Sequence, residues 1–163
     1  MRGIRLAAML LLLALCAFGC APREGDYFSA FSGAFSLDMT GELYGMPFSA
    51  LLDVTSAEGT GVREATLTFY APSELCDTVV RYREGEIPEL SVGGVCIQSE
   101  TAEGFLALLA LFPAAGSVRE VRLEGEETLV VCEGVTLRFG ADGTPLGAES
   151  TEARADVIRY LKK

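Results

Sequence analysis

The chain has 163 residues, of which 50% are hydrophobic, and it carries a formal net charge of −10 with no histidine. The lack of histidine excludes Ser-His-Asp triads, other histidine-based catalysis and histidine-ligated metals, and the negative charge disfavours binding to nucleic acid. No G-x-S-x-G, H-E-x-x-H or phosphate-loop motif is present. We therefore expect a protein that is not an enzyme and has no cofactor or metal.

The amino terminus has the pattern of an export signal. Arg2 and Arg5 precede an apolar run at 6–15, and Ala17-Phe18-Gly19-Cys20 follows it. This resembles a bacterial lipoprotein signal, which implies removal of residues 1–19 and acylation of Cys20. The resemblance implies a lipid-anchored protein on the extracytoplasmic side of the cell membrane, with a tether at 20–26 and one domain at 27–163. The alternative is an uncleaved helical anchor, which implies the same location.

Most of the domain alternates between apolar and polar residues, which predicts half-buried antiparallel strands. The alternation begins at Phe31, turns at Tyr44-Gly45 and continues to Val54. Further strands are predicted at 65–71, 78–83, 86–92, 95–98, 118–123, 128–132, 135–139 and 144–149. The last segment, 151–163, fits either an amphipathic helix or a strand, and the pattern at 156–161 favours the strand.

One mid-chain stretch predicts a buried helix. In TAEGFLALLALFP, at 101–113, apolar residues crowd together, Ser99 or Thr101 can cap the helix, and Pro113 ends it. A helix that is apolar nearly all round is normally buried. The predicted fold is α+β, with a curved antiparallel β-sheet, a half-open barrel, wrapped around this one central apolar helix.

The order of these elements resembles the lipoprotein-carrier fold of LolA and LolB. The resemblance rests on the first hairpin at 31–54, the strand that runs into Pro72, the mid-chain apolar helix and the late turn at 139–146. It implies a half-open barrel with an apolar concave face. The long early helix of the carriers is reduced here to 23–30 at best.

The candidate site is the inner apolar face. Its strand and helix residues are Phe35, Leu37, Phe48, Leu52, Leu67, Phe69, Phe105, Leu108, Leu109 and Phe112. Either they form an ordinary core that the helix fills, or they line a groove for a lipid, acyl chain or lipopeptide. The leading prediction is a non-catalytic module that binds such a ligand. The alternative is a dry-cored interaction lipoprotein that binds a protein through its outer face or an edge strand.

Three cysteines lie within the predicted domain, Cys76, Cys96 and Cys132. In an exported protein Cys76 and Cys96 could form a disulfide, which would leave one thiol over. The alternative is that all three are small buried hydrophobic residues.

Overall fold

The computed structural model describes residues 24–58 and 61–163. The predicted signal at 1–19, the lipidation site Cys20 and the first part of the tether lie outside the described residues. In the described ranges no helix is long and apolar enough to cross a bilayer.

Alternating apolar residues build one eleven-stranded antiparallel sheet, which is open and curved. Its strands lie in the order β6-β5-β4-β3-β2-β1-β11-β10-β9-β8-β7, so the two edges are β6 and β7. The strands are β1 (Phe35–Leu43), β2 (Met46–Glu58), β3 (Gly61–Ala71), β4 (Val79–Arg83), β5 (Glu89–Val92), β6 (Val95–Gln98), β7 (Val118–Glu124), β8 (Glu127–Cys132), β9 (Thr136–Phe139), β10 (Pro145–Glu149) and β11 (Ala153–Lys162).

The closing strand β11 pairs with the opening strand β1. Phe35 lies opposite Lys162 and Leu43 opposite Ala153, with a register shift after Asp38. The prediction that 151–163 contains a strand rather than a helix is confirmed. Because the ends of the domain meet in mid-sheet, residues from both halves of the chain share one apolar face.

The central helix is shorter than predicted. The stretch 101–113 forms a 3₁₀ helix (Glu100–Phe105) and then an α-helix of five residues, α2 (Leu106–Ala110). Ser99 caps the 3₁₀ helix as expected, since its hydroxyl accepts a bond from the Thr101 amide. Gly104 weakens helix formation in mid-segment, and Pro113 follows closely. An earlier helix, α1 (Glu24–Ser29), precedes the sheet.

The hydrophobic core lies on the concave face of the sheet. In β1, buried Phe35, Leu37 and Met39 alternate with half-buried polar residues. Phe31 is fully buried as expected, but it lies in the turn after α1 and not in β1. Its ring contacts the rings of Phe35, Phe112 and Phe139. Through Phe31, the turn after α1 packs both against the sheet and against Phe112, which follows α2.

Candidate ligand-binding site

The residues predicted to line a groove do meet on the concave face, but they pack against one another. Nine of the ten are buried, and Phe105 is half-buried against the core. The Phe105 and Phe69 ring centroids lie 5.1 Å apart, and those of Phe69 and Phe48 lie 6.2 Å apart. This region is therefore a filled core rather than an open groove, and the pattern of apolar residues alone could not distinguish the two.

An apolar cavity of about 310 Å³ lies at the margin of this core. Val62 of β3 and Tyr82 of β4 form its sheet side, and Leu106, Leu109 and Ala110 of α2 form its other side. Gly61 and Pro113 complete the lining. The cavity volume is at the lower end of the range for small-molecule sites, roughly 300–1,000 Å³. Of the ten predicted residues, Leu109 borders it.

Sequence reasoning did not identify Val62 and Tyr82 as site residues. Tyr82 lies opposite Ala65, a buried residue of β3, so its ring is on the concave face. The alternation in β4 places Tyr82 on the same face as buried Val80. The alternation in β4 could therefore have indicated the position of Tyr82. The short length of α2, which leaves space beside Tyr82, could not be predicted from the sequence.

The concave face continues past α2 towards the β6 edge. In register, buried Val80 lies opposite Leu90, and Leu90 lies opposite Ile97. Leu90 is half-buried, whereas Ile97 and Val95 are 51% and 67% exposed. Apolar surface on the concave face therefore extends well beyond the area that α2 covers.

A second cavity, of about 470 Å³, lies on another side of α2 and has a more polar lining. Ala107 and Ala110 border it, together with Ser117, Glu133 and Glu152. Carboxylates beside a site raise the cost of burying an apolar chain there, since they must stay hydrated. The cavity at Val62 and Tyr82 is the better site for a hydrophobic ligand.

The convex face is polar and carries paired charges. Arg83 lies 3.1 Å from Glu64, and its hydrogen bond to that carboxylate holds the pKa of Glu64 below its usual value. Arg81 pairs with Glu89 across β4 and β5. Among the residues that the structure describes, no group of histidine, cysteine or acidic side chains is arranged to hold a metal ion.

The three cysteines of the domain are free thiols in the structure. Cys76 follows β3 and Cys96 lies on β6; both are exposed, so the alternative that all three are buried is wrong for these two. The disulfide between them is not formed. Cys132 on β8 is buried as that alternative held, and burial raises the pKa of its thiol.

Comparisons with known proteins identify similar folds at low sequence identity. No protein-family model matches the sequence, and no curated protein matches it significantly. A solved structure of an uncharacterized conserved protein from Thermus thermophilus is similar with a TM-score of 0.50 and 12% identity, over 85% of this chain and 83% of that one. A LolA superfamily protein from Nitrosomonas europaea is similar with a TM-score of 0.47 and 7% identity, over 86% of this chain and 90% of that one. At such identities the similarity concerns the fold alone.

Proposed function

We propose that the protein is a non-catalytic lipoprotein that binds a hydrophobic ligand on the extracytoplasmic side of its membrane. The observation that supports this is the apolar cavity between Val62, Tyr82 and α2. A cavity with such walls favours an apolar chain, because filling it removes hydrocarbon from water. Its volume suits one acyl chain or a short apolar peptide segment better than a lipid with two chains.

In this proposal α2 is the movable wall of the site. It has only five residues, too few for a helix that is stable by itself, and buried Leu108 holds it to the core while Leu106 and Ala110 border the cavity. A small outward movement of Leu106 would widen the cavity without exposing Leu108. The ligand would then bind by burial, with no chemical step.

A cavity-filling variant tests where the ligand binds. We expect Val62→Trp to weaken the binding of a fluorescent fatty acid to residues 22–163 at least about tenfold, since the indole would occupy the cavity. Ile158→Trp is the matched control, because Ile158 is 66% exposed on β11, away from this cavity. Thermal melts of both variants check folding. Equal binding by both variants would place the ligand elsewhere.

The membrane anchor is tested separately. Cys20→Ser in the full chain should move the protein from the membrane fraction to the soluble fraction, because the acyl chains would supply the membrane affinity. Cys16→Ser should leave it in the membrane fraction. Retention of the Cys20→Ser variant in membranes would contradict acylation as the anchor and favour the uncleaved helix.

The filled core supports a second candidate, an interaction lipoprotein with no ligand. Phe35, Leu37 and Leu52 are fully buried, so the centre of the domain needs no ligand to exclude water. Such a protein would bind a partner through an edge strand or its outer face. In that case neither the unmodified domain nor either Trp variant would bind fatty acid.

A further inference from the structure

The strand β7 forms one edge of the sheet, and apolar and charged side chains alternate along it. β7 pairs with β8 on one side, and no strand in the described ranges pairs with its other side. Six of its seven residues are exposed. The free amides and carbonyls of such an edge are a template for another strand.

The side chains of β7 alternate between apolar and charged. Val121 lies opposite Val130, a fully buried residue, so Val121 and Leu123 are on the concave side, and they are 44% and 79% exposed. Glu120 and Arg122 are on the convex side. Their side chains bond to each other, with Arg122 Nε 2.7 Å from Glu120 Oε1, and this bond lowers the pKa of Glu120.

This pattern is complementary to itself when the strand runs antiparallel to a second copy. A two-fold axis at Val121 would place Glu120 of each copy opposite Arg122 of the other. An axis at Glu120 would oppose two carboxylates, and an axis at Arg122 would oppose two guanidinium groups. Like charges directly opposite are destabilising, whereas opposite charges stabilise the pair. An axis at Leu123 would also oppose unlike charges, Arg122 and Glu124, but it would pair only residues 122–124 of β7, whereas the axis at Val121 pairs all seven residues of the strand. The register centred on Val121 is therefore favoured.

We propose that β7 is a homodimer interface, in which two copies pair antiparallel about Val121. The two sheets become continuous across the interface, and the unpaired amides and carbonyls of both edges bond to each other. Val121 of one copy meets Val121 of the other on the concave side, which reduces its exposure. The charge pairs on the convex side disfavour a slip by two residues, which would lose them, and the full overlap of the two strands disfavours a slip by four.

Charge reversal in separate copies tests this pairing. Two full chains with different affinity tags are co-expressed, solubilised in mild detergent and purified by one tag. Chains that all carry Glu120→Arg, or that all carry Arg122→Glu, should associate about tenfold more weakly than the unmodified chain, because each interface then opposes like charges. A mixture of the two variants should recover association, since arginines of one copy face glutamates of the other.

Recovery in the mixture also shows that each variant chain is folded. No association of the unmodified chains, or equal association by all pairs, would overturn the proposal. The proposal would also be overturned if the mixture of the two variants associated no better than each variant alone. That result would show that another partner or surface is responsible.

A disulfide trap tests the position of the axis. Directly opposite residues of antiparallel strands have Cα atoms about 4.5–5.5 Å apart, within the range of about 4.4–6.8 Å for disulfides. In a Cys76→Ser, Cys96→Ser background, Val121→Cys should give a covalent dimer on mild oxidation. Ile158→Cys on β11 should not, although Ile158 is more exposed than Val121. Equal cross-linking of both variants would contradict pairing at β7.

Discussion

At the scale of single residues, Gly41 leaves less room for a side chain than any other glycine that the structure describes. A Cβ atom built on Gly41 would lie 1.9 Å from the Arg154 carbonyl oxygen and 2.9 Å from the Ala155 Cα atom. β1 and β11 therefore approach each other more closely there than any side chain allows. The pairing of β1 with β11 joins the two ends of the domain, and its register depends on a glycine at position 41.

We expect Gly41→Ala to lower the free energy of unfolding by about 3 kcal/mol, because the two strands must separate to admit the methyl group. Urea denaturation monitored by circular dichroism measures the change. Gly61→Ala is the control, since nothing lies within 4 Å of a Cβ atom at Gly61. A loss of less than about 0.5 kcal/mol for Gly41→Ala would contradict this close approach.

Tyr160 links the last strand to the turn after α1 and should make stability depend on alkaline pH. Its hydroxyl donates to the Ala30 carbonyl at 2.7 Å, and burial raises its pKa above the ordinary value. The unfolded chain therefore loses this proton first, so stability falls as pH rises beyond about 10, the ordinary tyrosine value. Burial of the Cys132 thiol raises its pKa and acts with the same sign from about pH 8.5.

In Tyr160→Phe we expect a loss of about 1 kcal/mol at neutral pH, from the missing hydrogen bond. The further loss of stability between neutral pH and about pH 11 should be smaller than in the unmodified protein. Urea midpoints across this pH range measure both effects. Parallel pH profiles for the two proteins would show that the Tyr160 hydroxyl does not titrate differently on folding.

At the scale of elements, the end of β11 holds the carboxyl end of α1. The Lys162 ammonium donates to the Ser29 carbonyl at 2.8 Å and the Ala30 carbonyl at 3.3 Å, and also to the Ser32 carbonyl. A cation at this end is favourable because the carboxyl end of a helix carries partial negative charge. The short α1 thus depends on a contact from the far end of the chain.

We expect Lys162→Met to speed amide hydrogen exchange in α1 and in residues 30–34 several-fold, while exchange in β3 and β4 stays the same. The expected cost is about 1 kcal/mol, as for a charge-assisted bond on an exposed side chain. Hydrogen exchange read by mass spectrometry of peptides measures it. Lys163→Met is the matched control, because Lys163 pairs with Asp53 of β2 instead. Equal effects of the two variants would contradict the role of Lys162.

Most of the strands were predictable from the sequence, whereas the length of the helix was not. Alternation at Phe35, Leu37 and Met39 reports directly which face is buried, so the sheet follows from local pattern. The stretch from Thr101 to Pro113 is apolar on nearly all sides, and such a pattern does not distinguish an α-helix from a 3₁₀ helix with a short α-helical turn. The cavity beside Tyr82 depends on that difference, so it could not be predicted.

At the scale of the whole molecule, the fold combines a filled centre with apolar surface that α2 leaves uncovered. The core beneath α2 is packed, the cavity at Val62 and Tyr82 lies at its margin, and the concave face continues to exposed Ile97. The packed centre needs no ligand to exclude water, and the cavity leaves space for one at the side of α2. We therefore expect this cavity to hold a hydrophobic molecule.

Native mass spectrometry of residues 22–163, purified without detergent after secretion, tests that expectation most directly. We predict a bound species of lipid or lipopeptide mass, diminished in Val62→Trp and retained in Ile158→Trp. A clean mass of the polypeptide alone, with no uptake of added fatty acid or phospholipid, would contradict ligand binding and favour an interaction lipoprotein with a dry core.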